Sequence, residues 1–424
     1  MCKQKKYTMK QIFTLVFIGL SFFSFAQITE DSVVMQPNYT NDIFYSLKDG
    51  EVSEYSGSSW TVAFYNKSQS AAIMINGGRG VELWNVTDDI TQFSNITDTV
   101  GMSTWSPLYD SDTTWDAFSA FEGESLSGQS NYGWGEYDFN THAVTGTRIF
   151  MLKTINDSYY KVYVVKKEAG VFTYRYASLD NSFDTTMVVS VPDYLNKSYA
   201  YLNMDNHTLQ DREPDHSDWD FEFTKYIVDY QGIAYYPVTG VISNEGVQIA
   251  EVLELPANAN YVGAPFKSLR TVIGSDWKTF DQMNNLFTLS DSLTFFVRTE
   301  AQDIYKVYFT GFEGGVSGKI KFTKELVASG PTAIRENNES IDLHKIYPNP
   351  TTGSADLIFS SEKIEVMNVR VYSLVGNLVF QANTQTNLGL NSVRINLGEV
   401  ENGIYLVQLG NGIQTTTQKL VLNK

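Results

Sequence analysis

Residues 146–162 read GTRIFMLKTINDSYYKV, and residues 291–307 read DSLTFFVRTEAQDIYKV. Thr154 answers Thr299, Tyr160 answers Tyr305 and Lys161 answers Lys306, all at one offset of 145. Upstream, WTVAF (Trp60–Phe64) answers WDFEF (Trp219–Phe223), and GVEL (Gly80–Leu83) answers GVQI (Gly246–Ile249). Separated matches kept in one order imply two copies of one supersecondary plan. Two copies are too few for a solenoid, so two similar modules are expected. Around these blocks, short β-branched and aromatic runs recur between Gly, Asn, Asp and Ser. They include Val81–Val86, Tyr159–Val165 and Phe172–Tyr176 in the first copy, and Ile233–Val238, Val247–Leu253 and Tyr305–Phe309 in the second. No run beyond the N-terminal apolar segment sustains a 3.6-residue period. The expected fold is all-β: two similar antiparallel β-sheet modules, then a small C-terminal β-sandwich.

The chain has 424 residues, room for two or three domains with real cores. Apolar residues are 42% and aromatics 14%, too many for a disordered chain. The one cysteine, Cys2, precedes any mature domain, so neither a disulfide framework nor a cysteine nucleophile is expected. Lys3, Lys5, Lys6 and Lys10 precede the apolar run Ile12–Phe23, and Ser24-Phe25-Ala26 follows with small residues at −3 and −1. This pattern is a secretory signal peptide over 1–26, and its apolar run is too short to span a bilayer. The net charge is −17; removing those four lysines leaves −21. So acidic a protein repels phosphate backbones and anionic lipid, so no nucleic-acid partner and no membrane span in the mature protein are expected.

After Ser329-Gly330-Pro331 a polar stretch reads as a linker over 330–344. KIYPNPTTG (Lys345–Gly353), VRVYSLVGNLV (Val369–Val379), NGIYLVQL (Asn402–Leu409) and KLVLNK (Lys419–Lys424) then follow in order. The alternation argues a compact β domain over 345–424. These ordered motifs resemble the type A sorting domain of the type IX secretion system. The resemblance implies the secretion machinery as a partner, and a Gram-negative cell-surface or secreted protein.

The cargo carries a second set of motifs. An FYSLKDGEV opening precedes a WTVAF strand, an INGGRG turn, YDFNTHAV, then IFMLKTINDSYYKVYV and FTYRYASL. The second copy keeps SDWDFEFTKY, VTGVISNEGVQI, IGSDWKTF, FFVRTEAQDIYKVYF and GKIKF. Over residues 41–328 these resemble the HmuY family of haem-binding surface proteins. The likeness implies a 27–40 linker, a first module over 41–190 and a second over 191–329. It also implies haem as the ligand, with His142 of NTHAV as one axial donor. Met102, in Gly101-Met102-Ser103, is the nearest soft donor upstream. The offset of 145 puts Phe287 opposite His142 in the second copy, and Trp115 matches Trp277.

Other chemistry is weaker. His207 and His216 flank an acidic loop (Asp211, Glu213, Asp215, Asp218, Asp220) whose spacing is not that of an EF-hand, so a solvated loop with no metal is expected. His344 lies in the linker. No GxSxG elbow, HExxH helix or phosphate-binding glycine loop occurs, and a non-enzyme is expected. Glu122 with Glu124, or Asp110 with Asp112, reads as surface acid. Trp105, Trp115 and Trp134 can stack on sugar rings or pack a core. The competing function is therefore a non-haem adhesin or glycan-binding module on the same scaffold.

Overall fold

The computed structural model describes residues 28–67, 70–122, 130–194, 196–230, 233–284, 286–330, 341–361, 364–373, 377–410 and 415–424. The expected signal peptide and most of the Gly/Ser stretch 123–135 lie outside them. The chain divides into two compact units, one ending at Pro331 and one beginning at Thr332.

The first unit is all-β. It opens with β1 (Thr29–Val34), β2 (Asn41–Ser46) and β3 (Gly50–Ser56). Next come β4 (Val62–Tyr65), β5 (Ile73–Ile75), β6 (Glu82–Thr87) and β7 (Ser106–Leu108), then the hairpin β8 (Gly135–Asp138) and β9 (Ala143–Gly146). A run of longer strands follows: β10 (Ile149–Lys153), β11 (Tyr159–Glu168), β12 (Val171–Ser178), β13 (Asp184–Ser190), β14 (Tyr199–Asn203) and β15 (Thr208–Gln210). The remainder is β16 (Phe221–Tyr230), β17 (Ala234–Ser243), β18 (Gln248–Val252), the hairpin β19 (Lys278–Asp281) and β20 (Leu286–Leu289), then β21 (Thr294–Arg298), β22 (Ile304–Phe312) and β23 (Lys319–Ala328).

Sheet order reveals the duplication. One module stacks sheet β13-β12-β11-β10-β6 on sheet β15-β14-β4-β5; the other stacks β1-β23-β22-β21-β18 on β3-β2-β16-β17. The registers match as well. Phe150 faces Val162 and Phe295 faces Val307, both pairs displaced by the expected 145. Thr154 and Thr299 each donate a backbone N–H to the carbonyl of the residue four on, Ser158 O and Asp303 O. Each module has its own apolar core: Val62, Phe64, Phe150, Leu152, Val162 and Tyr174 in the first, Phe221, Phe223, Phe295, Val297, Val307 and Phe322 in the second.

The modules are not bounded as expected. The last three strands of the second module are β1–β3, from the N-terminus, while β13–β15 play those parts in the first. Residues 28–40, expected within a linker over 27–40, therefore do not form one. β1 pairs with β23 from Thr29↔Lys324 to Val34↔Lys319, covering an edge that would otherwise present unpaired backbone. The strands of the first module run from about residue 60 to 210; the second joins 29–56 to 221–328. The turn Pro192-Asp193-Tyr194 before β14 corresponds to Pro37-Asn38-Tyr39 before β2.

The inserted lengths also shift. Thr147 N–H donates to Trp134 O (3.0 Å) and Ser290 N–H to Trp277 O (3.1 Å), so Trp134, not Trp115, is the counterpart of Trp277. Position 142 then corresponds to 285, outside the described residues, rather than to Phe287. Trp134 and Trp277 each fill a core and anchor a hairpin, a burial requirement that the WDAF and WKTF likeness concealed.

The second unit is a small antiparallel sandwich. Strands β24 (Ile341–Tyr347), β25 (Ser354–Ser361), β26 (Val366–Ser373), β27 (Leu378–Gln385), β28 (Gly389–Asn396), β29 (Gly403–Gly410) and β30 (Thr415–Leu422) form sheets β24-β25-β28 and β27-β26-β29-β30. Alternate residues of β25 and β26, such as Leu357, Phe359, Val369 and Val371, enclose its core. His344 is part of β24, so strand structure reaches back into the expected linker.

Candidate functional site

The two inner sheets face each other, and their outward side chains meet between the modules. Phe44, Ala63, Tyr65, Met74, Trp115, Tyr199, Tyr201 and Trp219 form this aromatic layer. Trp60 packs edge-on to Tyr201 at 5.3 Å, and its counterpart Trp219 packs edge-on to Phe44 at 4.9 Å. Both tryptophans are fixed by the same device. Asn76 Nδ2 donates to Gly57 O and Trp60 O; Asn244 Nδ2 donates to His216 O and Trp219 O. The INGGRG turn of the first module lies on the backbone of β16. A Cβ at Gly78 would sit 2.1 Å from Lys225 O and 2.6 Å from Tyr226 N, so only glycine permits this approach.

Charge is buried beside the aromatics. Asp42, on β2, is 1% exposed and accepts from Arg79 Nη2 (2.5 Å), Arg212 Nη2 (2.7 Å) and Thr224 Oγ1 (2.8 Å). Burial would raise its pKa, but Arg212 and Arg79 hold it below the ordinary value. The Arg212 guanidinium also lies over Tyr201, 5.2 Å from the ring centre. Arg79 comes from the first module, Arg212 from the loop after it and Asp42 from the N-terminal strands. Three chain regions thus share one ionic knot.

Next to this knot opens a cavity between the two modules. Its walls come from both modules: Trp60, Ala63, Met74, Tyr199 and Tyr201 on one side, Trp219, Glu222, Thr224, Tyr226 and Ile242 on the other. The loop Tyr109–Trp115 and Arg270 complete it. At the rim Tyr109 stacks on Tyr235, with centres 3.9 Å apart and planes within 7°. Concave, aromatic walls with a few convergent polar groups are what a small-ligand site requires.

The carboxyls here are unusual. Burial pushes Asp110 up to about 7, although Ala120 N–H (2.6 Å) and Ile75 N–H (3.0 Å) donate to it. Burial, then the nearby Asp42 charge, pushes Glu222 up to about 8; its nearest cation, Arg212 Nη2, is 3.7 Å away. Burial raises Glu213 too, against donation from Ser198 N–H and Tyr199 N–H and the Tyr201 hydroxyl. Asp110 is thus no simple surface acid. Nor is the acidic loop simply solvated: Arg212, Glu213 and Asp220 are buried, while Asp211, Asp215 and Asp218 face solvent. Spacing along the chain could not separate these two groups, because the loop dips into the interface and out again.

The residues singled out for haem lie elsewhere. His142 is exposed in the β8–β9 turn, its Nδ1 2.6 Å from the Tyr137 hydroxyl. Met102 opens the 3₁₀ turn Met102–Thr104 and is half-buried. No hydrogen bond or ring contact joins them among the described residues, and neither lines the cavity. His207 stacks on Phe183 at 4.2 Å, with its Nδ1 2.8 Å from the Tyr176 hydroxyl. Of the three sugar-stacking candidates, Trp115 lines the cavity. Trp134 is core, its indole N–H donating to Ala71 O, and Trp105 is not part of the wall. Sequence reasoning missed Trp60, Trp219, Glu222 and Arg270 as site residues; the paired WTVAF and WDFEF blocks are the one signal for the first three, and Arg270 has none.

Among known proteins, residues 345–423 match the family described as the secretion system C-terminal sorting domain. That region is a type IX sorting domain, and the protein is accordingly an exported one, secreted or held at the outer surface. No curated protein matches the chain. Among solved structures, dimeric latent PorU from Porphyromonas gingivalis aligns at 10% identity over 90% of this chain and 40% of that one. The TM-score is 0.18, too low to relate the folds, and the chain spans less than half of that neighbour's length. No helix among the described residues is long and apolar enough to cross a membrane.

Proposed function

We propose that this exported protein is a binding protein, not an enzyme, whose ligand occupies the cavity between the two modules. The ligand class its lining fits best is a glycan. One observation carries this reading: Trp60, Trp115 and Trp219 converge with Tyr199, Tyr201 and several carboxyls in one open cavity. Sugars present flat C–H faces that pack on aromatic rings, and hydroxyls that bond to carboxyl and guanidinium groups. The sorting domain supports the setting, since extracellular glycans are met after export.

Haem, through His142 and Met102, is the other ligand the motifs imply. One experiment separates the two. The full chain is titrated with an oligosaccharide panel and, separately, with haemin, following tryptophan fluorescence and the Soret band. The glycan reading predicts saturable fluorescence change with sugar, lost in Trp219→Ala, and no Soret shift dependent on His142. A Soret shift abolished by His142→Ala, with no sugar binding, would transfer the function to haem.

A further inference from the structure

Arg270 is the outlying group in the cavity. It is 8% exposed, lines the wall, and has no carboxylate within ion-pair distance among the described residues. Its guanidinium lies over Trp115, 4.7 Å from the ring centre. Among the described residues its Nη1 reaches only Met74 Sδ (3.5 Å) and, weakly, Thr114 O (3.4 Å), and its Nε has no partner. Its own backbone N–H is spent on Thr113 O at 3.0 Å. The contrast with Arg79 and Arg212, both clamped on Asp42, is sharp.

A buried guanidinium without a counter-ion is costly, and stacking on one indole offsets only part of that cost. Asp110, Asp112 and Glu222 are close enough to feel its field but not to bond it. The planar fork therefore keeps donors for something that enters. Carboxylate is the group whose two oxygens match that fork. Two further unpartnered donors, the indole N–H groups of Trp60 and Trp219, belong to the same wall.

Resting on the glycan reading above, we infer that the cavity selects an acidic sugar, its carboxylate seated on the Arg270 guanidinium beside the Trp115 indole. The ring of the sugar then lies against the tryptophan wall, and its hydroxyls meet Glu222 and Asp110.

The test needs no variant to begin. Trigalacturonic acid and sialyllactose, each with its methyl ester, are titrated into the full-length wild-type protein by calorimetry. Esterification removes the charge and leaves the rings. At least one acid should bind tenfold or more tighter than its ester, and the preference should shrink as salt rises. Arg270→Gln should abolish the acid preference, Arg270→Lys should restore part of it, and unchanged melting temperatures certify the fold. Equal binding of acids and esters by the wild type overturns the acidic-sugar inference and leaves the glycan reading standing. Failure of every acid and every ester to bind overturns both.

Discussion

The two modules share strand order and register but differ in how the chain builds them. The first is assembled from one contiguous stretch, β4 to β15; the second needs both ends of the cargo, with β1–β3 completing sheets begun by β16–β23. The duplicated unit is thus closed cyclically, the N-terminal strands taking the place at the second module that β13–β15 take at the first. This difference has a mechanical consequence. Closure brings Asp42 from the N-terminal strands against Arg79 and Arg212, and the aromatic cavity opens beside that knot. The site depends on the junction, and neither repeat contains it alone.

The contrast is broken most drastically by removing the closing strands. A chain beginning at residue 57 loses the partners of β23 and β16 and exposes the core around Ile43, Tyr45 and Leu47. Limited proteolysis should then digest 219–328 while 60–212 persists. Equal resistance of both would show that the second module is independent of β1–β3.

A smaller effect is expected from the knot. Asp42→Ala leaves Arg79 and Arg212 buried without their shared carboxylate, which costs about 3–5 kcal/mol for a buried pair broken on one side. Urea unfolding measures it, and a loss under about 1 kcal/mol would mean the knot does not hold the modules.

A third effect is a pH slope. Glu222 faces Asp42, Arg212, Arg270 and Glu213, and its folded pKa of about 8 lies above its ordinary 4.5. Asp110, facing Arg270, lies at about 7 against an ordinary 3.8. For an acid whose folded pKa is raised, ionisation in the unfolded chain begins first, so stability falls as pH climbs from the ordinary value to the folded one. Asp42 works oppositely, its contribution being lost only in acid. The melting temperature should therefore decline from pH 5 to 8, and Glu222→Gln should flatten the decline. An unchanged slope in that variant would place Glu222 in water.

Sequence made the strand class and the repeat legible because the turn Thr154–Ser158 and its copy Thr299–Asp303 demand the same local chemistry twice. It hid the closure, because PNY and PDY are three-residue signals and the copy precedes its module in the chain. It hid most of the site for a related reason. Residues such as Trp115 and Arg270 meet only across modules, and nothing local marks Arg270 as a cation without a counter-ion. His142 carried a family-like motif, but the fold places it in an exposed turn outside the cavity.

The central claim is that ligand binds at the junction. Hydrogen–deuterium exchange of the full chain, with and without saturating acidic oligosaccharide, tests it most directly. The account predicts slowed exchange in 60–78 of the first module and 219–227 of the second together, with 137–143 unchanged. Protection confined to one module, or centred on the His142 turn, would contradict it.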